Sequence, residues 1–315
     1  MQHEIFASPQ SCQWGVFDAR IPPVLEIESG DRVVMHTVSG GPEVTPGSDA
    51  GFYVPPELPE IQRALTRPLS GGHLLTGPVA VKGAKPGMVL EVRILDIALR
   101  QDWGYTLIRP LAGALPEDFP EGRVMHIRLD RERHVGQLPW GVELPLRPFF
   151  GVMGVAPPPA WGGCTTVIPR AFGGNLDNKE LVAGTTLYLP IFTEGANFSA
   201  GDGHGTQGDG EVCVTAIETA LTGTFELILR DDLQLDLPRA ETPTHYITMG
   251  MNPDIDVAAK TALRQMIGLI CERTNLSRED AYMLCSLAAD LRITQMVNQH
   301  NGVHVMLAKT ALHGA

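Results

Sequence analysis

The chain has 315 residues, of which 43% are hydrophobic and 19% charged, with 25 prolines and 34 glycines scattered along it. This composition is typical of a soluble globular protein and favours short strands and many turns over long helices. The formal net charge of −12, without any run of Lys or Arg, argues against nucleic acid or an anionic membrane as partners, so we expect a neutral or cationic substrate.

The cysteines and the first residues predict the compartment. Five cysteines form no C-x-x-C pair, and an odd number without framework spacing is typical of reduced thiols. The first seven residues contain neither a basic segment nor an apolar one, so we expect no signal peptide. Charged residues interrupt the apolar stretches, so no segment is expected to span a bilayer. We therefore expect a cytoplasmic protein.

Residues 24–37 and 78–98 each predict two strands joined by a turn. Polar and apolar residues alternate from Val24 to Glu28, which is the period of a half-buried strand, and a turn follows at Ser29-Gly30-Asp31. The second unit repeats this design around Lys85-Pro86-Gly87. Both units are typical of the hairpins of a β-sandwich or barrel.

The character of the sequence changes after Pro253. Apolar residues recur at helical spacing from Ala259 to Ile270. A second helix is predicted to begin at Ser277, with Asp280 as its capping partner. Two strands across a turn at Asn301-Gly302 close the chain. The expected fold class is mostly β, with β-sandwich or barrel-like parts and a smaller C-terminal α/β element.

The length of the chain predicts about two domains. We place the boundary after residue 195, so that residues 1–195 form an N-terminal β-rich region that carries a Gly-Asn-Leu-Asp cluster. Residues 196–315 then contain a glycine-rich active-site loop, further strands and the C-terminal helix pair. Residues 39–60 hold five prolines and predict an extended surface loop.

A glycine-rich run at residues 198–211, Phe-Ser-Ala-Gly-Asp-Gly-His-Gly-Thr-Gln-Gly-Asp-Gly-Glu, contains the residue types of chemical sites. Between Gly201 and Glu211 it holds five glycines, two aspartates, one glutamate and one histidine. Because glycine is costly to order, this number indicates a backbone in unusual conformations or one that is closely approached. The apolar segments Leu187–Phe192 and Val212–Ile217 on either side predict a loop that joins two strands.

The polar side chains of this run favour a metal site. Asp202 and His204 are two residues apart, so their side chains share a face if the chain is extended, and the same holds for Asp209 and Glu211. Carboxylates with an imidazole suit zinc or a similar divalent ion, whereas oxygen ligands alone would suit calcium. The alternative is a glycine-rich turn whose aspartates cap backbone N–H groups.

The glycine spacing also imitates two other ligand loops. Gly203, Gly205 and Gly208 satisfy G-x-G-x-x-G, but no helix pattern follows, and Asp209 and Glu211 would lie where a pyrophosphate needs positive potential. The calcium loop of helix–loop–helix proteins fails as well, because the flanking segments are predicted strands. Neither a dinucleotide loop nor a calcium loop of that type is expected.

Residues 173–180, Gly-Gly-Asn-Leu-Asp-Asn-Lys-Glu, form a second polar cluster. Asp177 could ligate a metal and Lys179 could stabilise an oxyanion, although a turn with Asn and Asp at their preferred positions is equally consistent. A metal site needs further ligands from elsewhere in the chain. His36, at the end of a predicted strand, and His73, after two glycines, are the best-placed imidazoles, and each could equally be structural.

Segments spread along the chain carry motifs that occur together in one family of proteins. They are Ser29–His36, His73–Pro78, Pro86–Leu90, Gly173–Leu181, Gly184–Pro190, Phe198–Ile217, Leu276–Tyr282 and Leu287–Val305. Together they resemble the acetamidase/formamidase family over essentially the whole chain. The resemblance departs at Gly205-Thr206, where the family often has two alanines, and in the proline-rich loop 39–60; these departures bear on the substrate.

The resemblance implies a fold, an activity and an assembly. The implied fold combines β-sandwich and barrel-like parts with a smaller α/β C-terminal piece. The implied activity is hydrolysis of the C–N bond of small linear amides, such as formamide or acetamide, to a carboxylate and ammonia, with a role in nitrogen metabolism. The implied assembly is a homo-oligomer.

A hypothesis for the mechanism joins this family to the residues above. A divalent ion, zinc by preference and calcium as the alternative, would lower the pKa of a bound water. Glu211 would take the proton and deliver it to the leaving ammonia, while Lys179 or the ion stabilises the tetrahedral oxyanion. The expected ligands are His36, Asp177, Asp202 and His204, with His73 as the replacement for His36.

Two alternatives stay open, and the first belongs to another functional class. One is a metal-stabilised β-rich protein that binds a ligand or partner without turnover. The other is a hydrolase of larger amides or lactams, because the proline-rich loop at residues 39–60 can reshape a pocket.

Overall fold

The computed structural model of the protein describes residues 1–69 and 71–314, and it is mostly β, as the sequence predicts. The helices are α1 (Glu57–Ala64), α2 (Ile255–Arg273) and α3 (Arg278–Ala288), with short 3-10 turns at Pro159–Trp161 and Lys309–Leu312. The strands are β1 (Gln2–Phe6), β2 (Cys12–Trp14), β3 (Val16–Phe17), β4 (Leu25–Ile27), β5 (Asp31–His36), β6 (Leu74–Val81), β7 (Val89–Leu99), β8 (Trp103–Ile108), β9 (Arg123–Asp130), β10 (Val135–Gln137), β11 (Glu143–Pro145), β12 (Phe149–Gly154), β13 (Cys164–Thr165), β14 (Gly173–Asn175), β15 (Thr186–Pro190), β16 (Phe198–His204), β17 (Glu218–Thr219), β18 (Leu221–Arg230), β19 (Arg239–Glu241), β20 (His245–Asn252), β21 (Ala289–Gln295) and β22 (Asn301–Ala308).

Across the two described ranges these strands form two large sheets and one two-stranded sheet. The nine-stranded sheet has the order β1-β5-β18-β7-β15-β19-β20-β22-β21. The eleven-stranded sheet has the path β11-β10-β9-β8-β17-β16-β12-β14, and β6 joins it by pairing with β16, β2 and β4. Phe150 and Phe198 from the second sheet pack on Phe225 of the first, with ring centroids 5.4 and 5.5 Å apart. The sheets therefore enclose an aromatic core between their faces, as in a sandwich.

The two predicted hairpins are wrong in their pairing. Strand β4 pairs in parallel with β6, whereas β5 and β7 lie on either side of β18 in the other sheet. Each unit therefore crosses from one sheet to the other at its turn. The first strands, β4 and β6, lie in the eleven-stranded sheet, and the second strands, β5 and β7, lie in the nine-stranded sheet. The alternation of polar and apolar residues predicts that a strand forms but not which strand it pairs with. A tight turn can connect two strands of one hairpin or two strands in different sheets, so the turn does not identify the partner either.

The C-terminal element agrees with its prediction. The side chain of Asp254 caps α2, and Ser277 Oγ caps α3 by accepting a hydrogen bond from the backbone of Asp280 at 3.0 Å. Helix α2 packs on β20 and β22, where a Cβ on Gly250 would lie 2.1 Å from the carbonyl oxygen of Ala258. This glycine is what lets the helix approach the sheet so closely. Strands β21 and β22 form the expected antiparallel pair, with one exception to the prediction: Asn301 and Gly302 belong to β22, so the turn expected there is wrong and the connection lies at residues 296–300.

Strands from both predicted regions contribute to both large sheets. In one sheet β18 lies between β5 and β7, and in the other β16 lies beside β6. The two predicted regions thus share both sheets, and the boundary after residue 195 stays a prediction. Within the described residues, no helix has both the length and the apolar character needed to cross a membrane.

The proline-rich loop at residues 39–60 is less exposed than the sequence suggests. Val44 is buried against Trp103, and Phe52 packs on the same ring at a centroid distance of 6.4 Å. The indole of Trp103 also donates a hydrogen bond to the carbonyl of Tyr53 at 3.0 Å. The loop is thus a fixed cover over one end of the eleven-stranded sheet.

Stability should depend on pH through His304, which is fully buried on β22. Its Nδ1 bonds Thr294 Oγ1 at 2.7 Å, and burial lowers its pKa from the ordinary 6.5 to about 4. Protonation is therefore easier in the unfolded chain, so this contribution is complete above about pH 6.5 and is lost as the pH falls toward about 4. Between pH 7 and 5 it should remove about 2 kcal/mol from the free energy of unfolding.

Denaturant titrations at pH 7 and pH 5 measure this effect in the wild type and in His304→Gln. The variant should lose about 2 kcal/mol less than the wild type over that interval, whatever its absolute stability. An equal loss in both proteins would contradict the assignment to His304.

Candidate active site

The first half of the glycine-rich run is a buried strand and not a loop, which corrects the sequence-based expectation. Strand β16 is buried along its whole length. A Cβ on Gly201 would lie 2.1 Å from the carbonyl oxygen of Leu74, and one on Gly203 would lie 2.5 Å from that of Thr219. The glycines are needed because neighbouring strands approach the backbone on both sides. The loop is confined to the residues after β16, and the expected strand at Val212–Ile217 consists of turns and bends.

Adjacent strands bring the chemical groups together. Strand β12 lies between β14 and β16, so Asp177, just after β14, meets Asp202 and His204 at the end of β16. Glu218 lies opposite His204 on the next strand, β17. Glu211 reaches the same place from the loop after β16. The result is a cluster of four carboxylates and one imidazole, each at most 6% exposed.

Short distances define this carboxylate–histidine cluster. His204 Nε2 lies 3.2 Å from both Asp202 Oδ2 and Glu218 Oε1, and 3.9 Å from Asp177 Oδ1. Two groups of three side chains have ligand atoms within 4.8 Å of one another, and both include His204. One group adds Asp177 and Glu211, and the other adds Asp202 and Glu218.

The backbone of the cluster is strained. Asp177, Asp202 and Glu211 have φ angles of 45°, 56° and 44°, in the left-handed region that residues with a side chain rarely adopt. Such conformations cost of order 1–3 kcal/mol each and persist where the surrounding structure holds them. Their presence at three carboxylates of one cluster indicates that the fold aims these side chains at a common point.

Gly151 on β12 leaves the space at that point. A Cβ at this position would lie 2.5 Å from Asp177 Oδ1, 2.6 Å from Asp202 Oδ2 and 2.8 Å from His204 Cε1. These distances are far below van der Waals contact, so no other residue fits without moving the cluster. The missing side chain therefore makes a cradle among the carboxylates and the imidazole.

The charges in the cluster are strongly coupled. Burial raises the pKa of Glu211 well above its ordinary value and raises that of Glu218 to about 8. Burial likewise raises the pKa of Asp177. Although burial opposes it, the neighbouring His73 and His204 lower the pKa of Asp202. One imidazolium cannot balance four buried carboxylates, so the cluster must hold protons or a cation.

The residues present fit a divalent cation. Asp177 Oδ1, His204 Nε2 and Glu211 Oε2 are buried without a hydrogen-bond partner among the described residues. The ligand atoms of these three side chains lie within 4.8 Å of one another, and Asp177 Oδ1 and the His204 ring border the cradle at Gly151. A nitrogen donor with carboxylate oxygens is the ligand chemistry of zinc and similar ions, whereas calcium takes oxygen ligands.

The structure brings His73 to the cluster but not His36. His73 Nε2 lies 3.8 Å from Asp202 Oδ2. The ring nitrogens of His36, on the nine-stranded sheet, bond Thr222 Oγ1 at 2.9 Å and Glu4 Oε1 at 2.7 Å. Both nitrogens of His36 are therefore engaged in the other sheet, and of the two expected imidazoles it is the alternative, His73, that the structure brings beside the cluster.

Lys179 also lies differently from the expectation. Its Nζ forms an ion pair with Asp209 Oδ1 at 3.0 Å. Lys179 follows Asp177 by two residues, and Asp209 precedes Glu211 by two. The pair therefore ties together the two segments that carry these carboxylates, and Lys179 is not among the residues that line the cavity above the cluster.

Sequence reasoning missed four residues of the site. Gly151, Glu218 and Asn298 come from segments with no ligand-like spacing, whereas Gln207 lies within the glycine-rich run but is not one of its candidate ligands. Asn298 Nδ2 donates a hydrogen bond to Asp177 Oδ2. One weak feature of the sequence could have indicated Glu218 as a site residue, since it is a carboxylate that ends an apolar segment soon after Glu211. Its position opposite His204 follows only from the pairing of β16 with β17.

A cavity of about 470 Å³ opens above the cluster. Asp177, Asp202, Glu211 and Glu218 line its floor. Its walls come from the proline-rich loop, the loop after β8 and the loop between β21 and β22. Tyr105 also lines the cavity, and burial and the charge of Glu218 raise the pKa of its phenol, so the hydroxyl stays protonated.

The fold and the site define a two-sheet β protein with a buried carboxylate–histidine centre at the floor of a cavity. The chain belongs to the acetamidase/formamidase family, whose sequence profile matches residues 13–162 and 158–312.

Similar proteins carry names that match this family. The chain is 28% identical over 239 residues to an acetamidase of Mycolicibacterium smegmatis, a match that covers 56% of each protein. It is 31% identical over 200 residues to a formamidase of Methylophilus methylotrophus, covering 47% of this chain and 49% of the relative. The chain thus spans about half the length of the curated relatives it matches. The crystal structure of an acetamidase from Bacillus halodurans superposes with a TM-score of 0.86 at 30% identity, over 99% of this chain and 100% of the other.

Adding one methyl group at Gly151 should disable the site. In Gly151→Ala the new Cβ displaces the carboxylates and the imidazole, and a displacement of about 1 Å costs roughly 100-fold in activity. The measurements are divalent-metal content and catalytic turnover, with thermal unfolding as the check on the fold.

Gly268→Ala is the matched control, because a Cβ there meets nothing within 4 Å and the position lies within α2. It should keep full metal content and gain up to about 1 kcal/mol of stability from helix propensity. Unchanged metal content and turnover in Gly151→Ala would show that the cradle is not part of the site.

Proposed function

We propose that this protein hydrolyses the C–N bond of small linear amides, such as formamide or acetamide, to a carboxylate and ammonia. The observation that carries the proposal is the buried carboxylate–histidine cluster at the floor of the cavity, in a chain of the acetamidase/formamidase family. The names of the similar proteins, an acetamidase and a formamidase, support the same substrate class.

The chain would hold a divalent ion, zinc by preference, in this cluster. His204 Nε2, Asp177 and Asp202 are the proposed ligands, and His73 stands close enough to Asp202 to complete or orient the set. A bound divalent ion supplies a Lewis acid that activates water and polarises an amide carbonyl. Nitrogen donors favour zinc over calcium at such a site.

Glu211 is the proposed proton carrier. Its Oε2 is buried, faces the cluster and has no hydrogen-bond partner among the described residues, so it is free to meet a water or a substrate. Burial raises the pKa of Glu211 well above its ordinary value, which favours uptake of a proton by this carboxylate. In the proposed reaction Glu211 takes a proton from the attacking water and passes it to the amide nitrogen. The C–N bond then breaks, and the nitrogen leaves as ammonia.

The developing oxyanion needs a hydrogen-bond donor, and the structure favours a neutral donor over the charged Lys179 in this role. The ammonium of Lys179 is paired with Asp209, outside the cavity lining. Tyr105 lines the cavity, and its hydroxyl stays protonated because its pKa is raised. We assign Tyr105 to hydrogen bonding of the substrate oxygen, a contribution typically worth about 3 kcal/mol where such donors are preorganised.

The size of the cavity favours a second candidate substrate class. A water molecule takes roughly 30 Å³ of liquid volume, so an amide with three or four non-hydrogen atoms would leave most of the 470 Å³ to solvent. Cavities of this size accommodate ligands of drug-like dimensions. Larger linear amides or lactams are therefore the alternative, with part of the wall supplied by the proline-rich loop.

Ammonia release across a panel of amides of increasing length, with metal content measured on the same sample, tests the substrate and the ion together. Formamide and acetamide should be hydrolysed, and a chelator should abolish turnover until Zn²⁺ is restored. A kcat/KM that rises steadily with acyl length would favour the larger substrates. Full activity in metal-free protein would overturn the role of the ion.

Replacing Glu211 separates an enzyme from a binding protein without turnover. Glu211→Gln removes the proton carrier but keeps the shape, so kcat should fall by roughly 100- to 10,000-fold while the circular dichroism spectrum stays unchanged. Glu194→Gln, at an exposed position, is the control and should keep wild-type kcat. If Glu211→Gln keeps wild-type turnover, Glu211 is not the proton carrier. If the wild type releases no ammonia from any amide, the binding-protein alternative stands.

A further inference from the structure

We propose that Gln207 is a positioning residue that holds the proton of His204 on Nδ1 and thereby leaves Nε2 as a free ligand nitrogen. Gln207 belongs to the loop after β16 and does not line the cavity above the cluster. Its catalytic importance rests on the proposed function, whereas the hydrogen-bond arrangement stands on the contacts alone.

The orientation of the Gln207 amide follows from its partners. Its Nε2 donates to the backbone carbonyl of Asp177 at 2.8 Å and, over a longer distance of 3.4 Å, to that of Thr294. Carbonyl oxygens only accept, so the NH₂ group must face them. The amide oxygen Oε1 is then left facing His204 Nδ1 at 3.0 Å. Flipping the amide would set its oxygen against two carbonyl oxygens, which is repulsive.

The tautomer of His204 follows from that orientation. Because Gln207 Oε1 can only accept, Nδ1 of His204 must carry the hydrogen. In the neutral ring Nε2 then bears a lone pair, and it faces the oxygens of Asp202 and Glu218 at 3.2 Å without in-line hydrogen-bond geometry. A lone pair directed at carboxylate oxygens is unfavourable unless a proton or a metal cation lies between them. The glutamine therefore prepares a ligand nitrogen where the carboxylates converge.

The loop that carries Gln207 is held in place independently. The backbone N–H of Gly210 donates to Thr294 at 3.2 Å, and the N–H of Met296 donates to Gly210 at 3.1 Å. Strand β21 thus docks the loop, and the partners of Gln207 come from three separate segments of the chain. A residue with this arrangement couples the C-terminal hairpin to the orientation of His204. Loss of such an outer partner typically costs 10- to 100-fold in metal affinity.

Two substitutions of similar length separate positioning from simple packing. Gln207→Met removes both the acceptor and the donors. Gln207→Glu keeps an acceptor for His204 Nδ1 but replaces the donors with a carboxylate oxygen that faces the carbonyl oxygens of Asp177 and Thr294. Gln62→Met is the matched control, because Gln62 also donates to a backbone carbonyl, that of Gly40 at 3.1 Å, but among the described residues its side-chain hydrogen bonds go to Gly40 and Thr45 and not to a histidine. All variants are first compared by thermal unfolding.

The readouts are Zn²⁺ affinity, by competition with a chelator, and the His204 tautomer, by NMR of protein labelled with ¹⁵N-histidine. The chain has ten histidines, so the His204 signals are assigned by their loss in His204→Gln. Wild type should show a protonated Nδ1. Gln207→Met should bind Zn²⁺ 10- to 100-fold more weakly and show a mixed tautomer, Gln207→Glu should keep the tautomer, and Gln62→Met should match the wild type.

Several outcomes would overturn the inference. One is wild-type Zn²⁺ affinity and tautomer in Gln207→Met. Another is an equal loss of affinity in Gln207→Met and Gln207→Glu with equally lowered unfolding temperatures, because that pattern belongs to loop packing. A wild type that binds no Zn²⁺ would also remove Nε2 as a ligand nitrogen. Neither readout needs an amide, so failure of the hydrolysis proposal would leave this test intact.

Discussion

Four carboxylates and one imidazole lie together in this protein, each at most 6% exposed, so water screens their charges only weakly. Removing a carboxylate from water without compensation costs several kcal/mol, so the group must hold protons, an imidazolium or a cation. The four carboxylates come from four different segments of the chain: Asp177, Asp202, Glu211 and Glu218. The free energy of folding must offset the cost of bringing them together. Left-handed backbone at three of these residues and the absent side chain at Gly151 are consequences of that constraint.

Glycines make this arrangement possible because they let neighbouring strands approach one another closely. Strand β16 is central in its sheet, and its glycines let neighbouring backbones come within distances that a Cβ would block. The same strand begins with Phe198, which packs on Phe225 of the opposite sheet, and ends with His204 in the site. Core packing and site geometry are therefore set by one element, which makes the position of His204 as rigid as the core itself.

Much of the fold class and part of the site could be predicted from the sequence. Helical spacing after Pro253 and capping at Ser277 are local patterns, and they appear in the structure as α2 and α3. The units at residues 24–37 and 78–98 show the limit, because their strands exist but pair with strands far away in the chain. Strand partners depend on which faces are buried together, and this information is not local.

At the site, residue types along the chain already indicate the kind of chemistry. The acidic residues and His204 of the glycine-rich run, together with Asp177, indicate metal or proton chemistry wherever they meet. Which residues meet depends on the folded arrangement, which places His73 and not His36 beside the cluster, Glu218 opposite His204, Gln207 behind the ring and Lys179 against Asp209. The reason is physical, since residue type sets what a side chain can bind, whereas its direction and neighbours follow from sheet order and long-range packing.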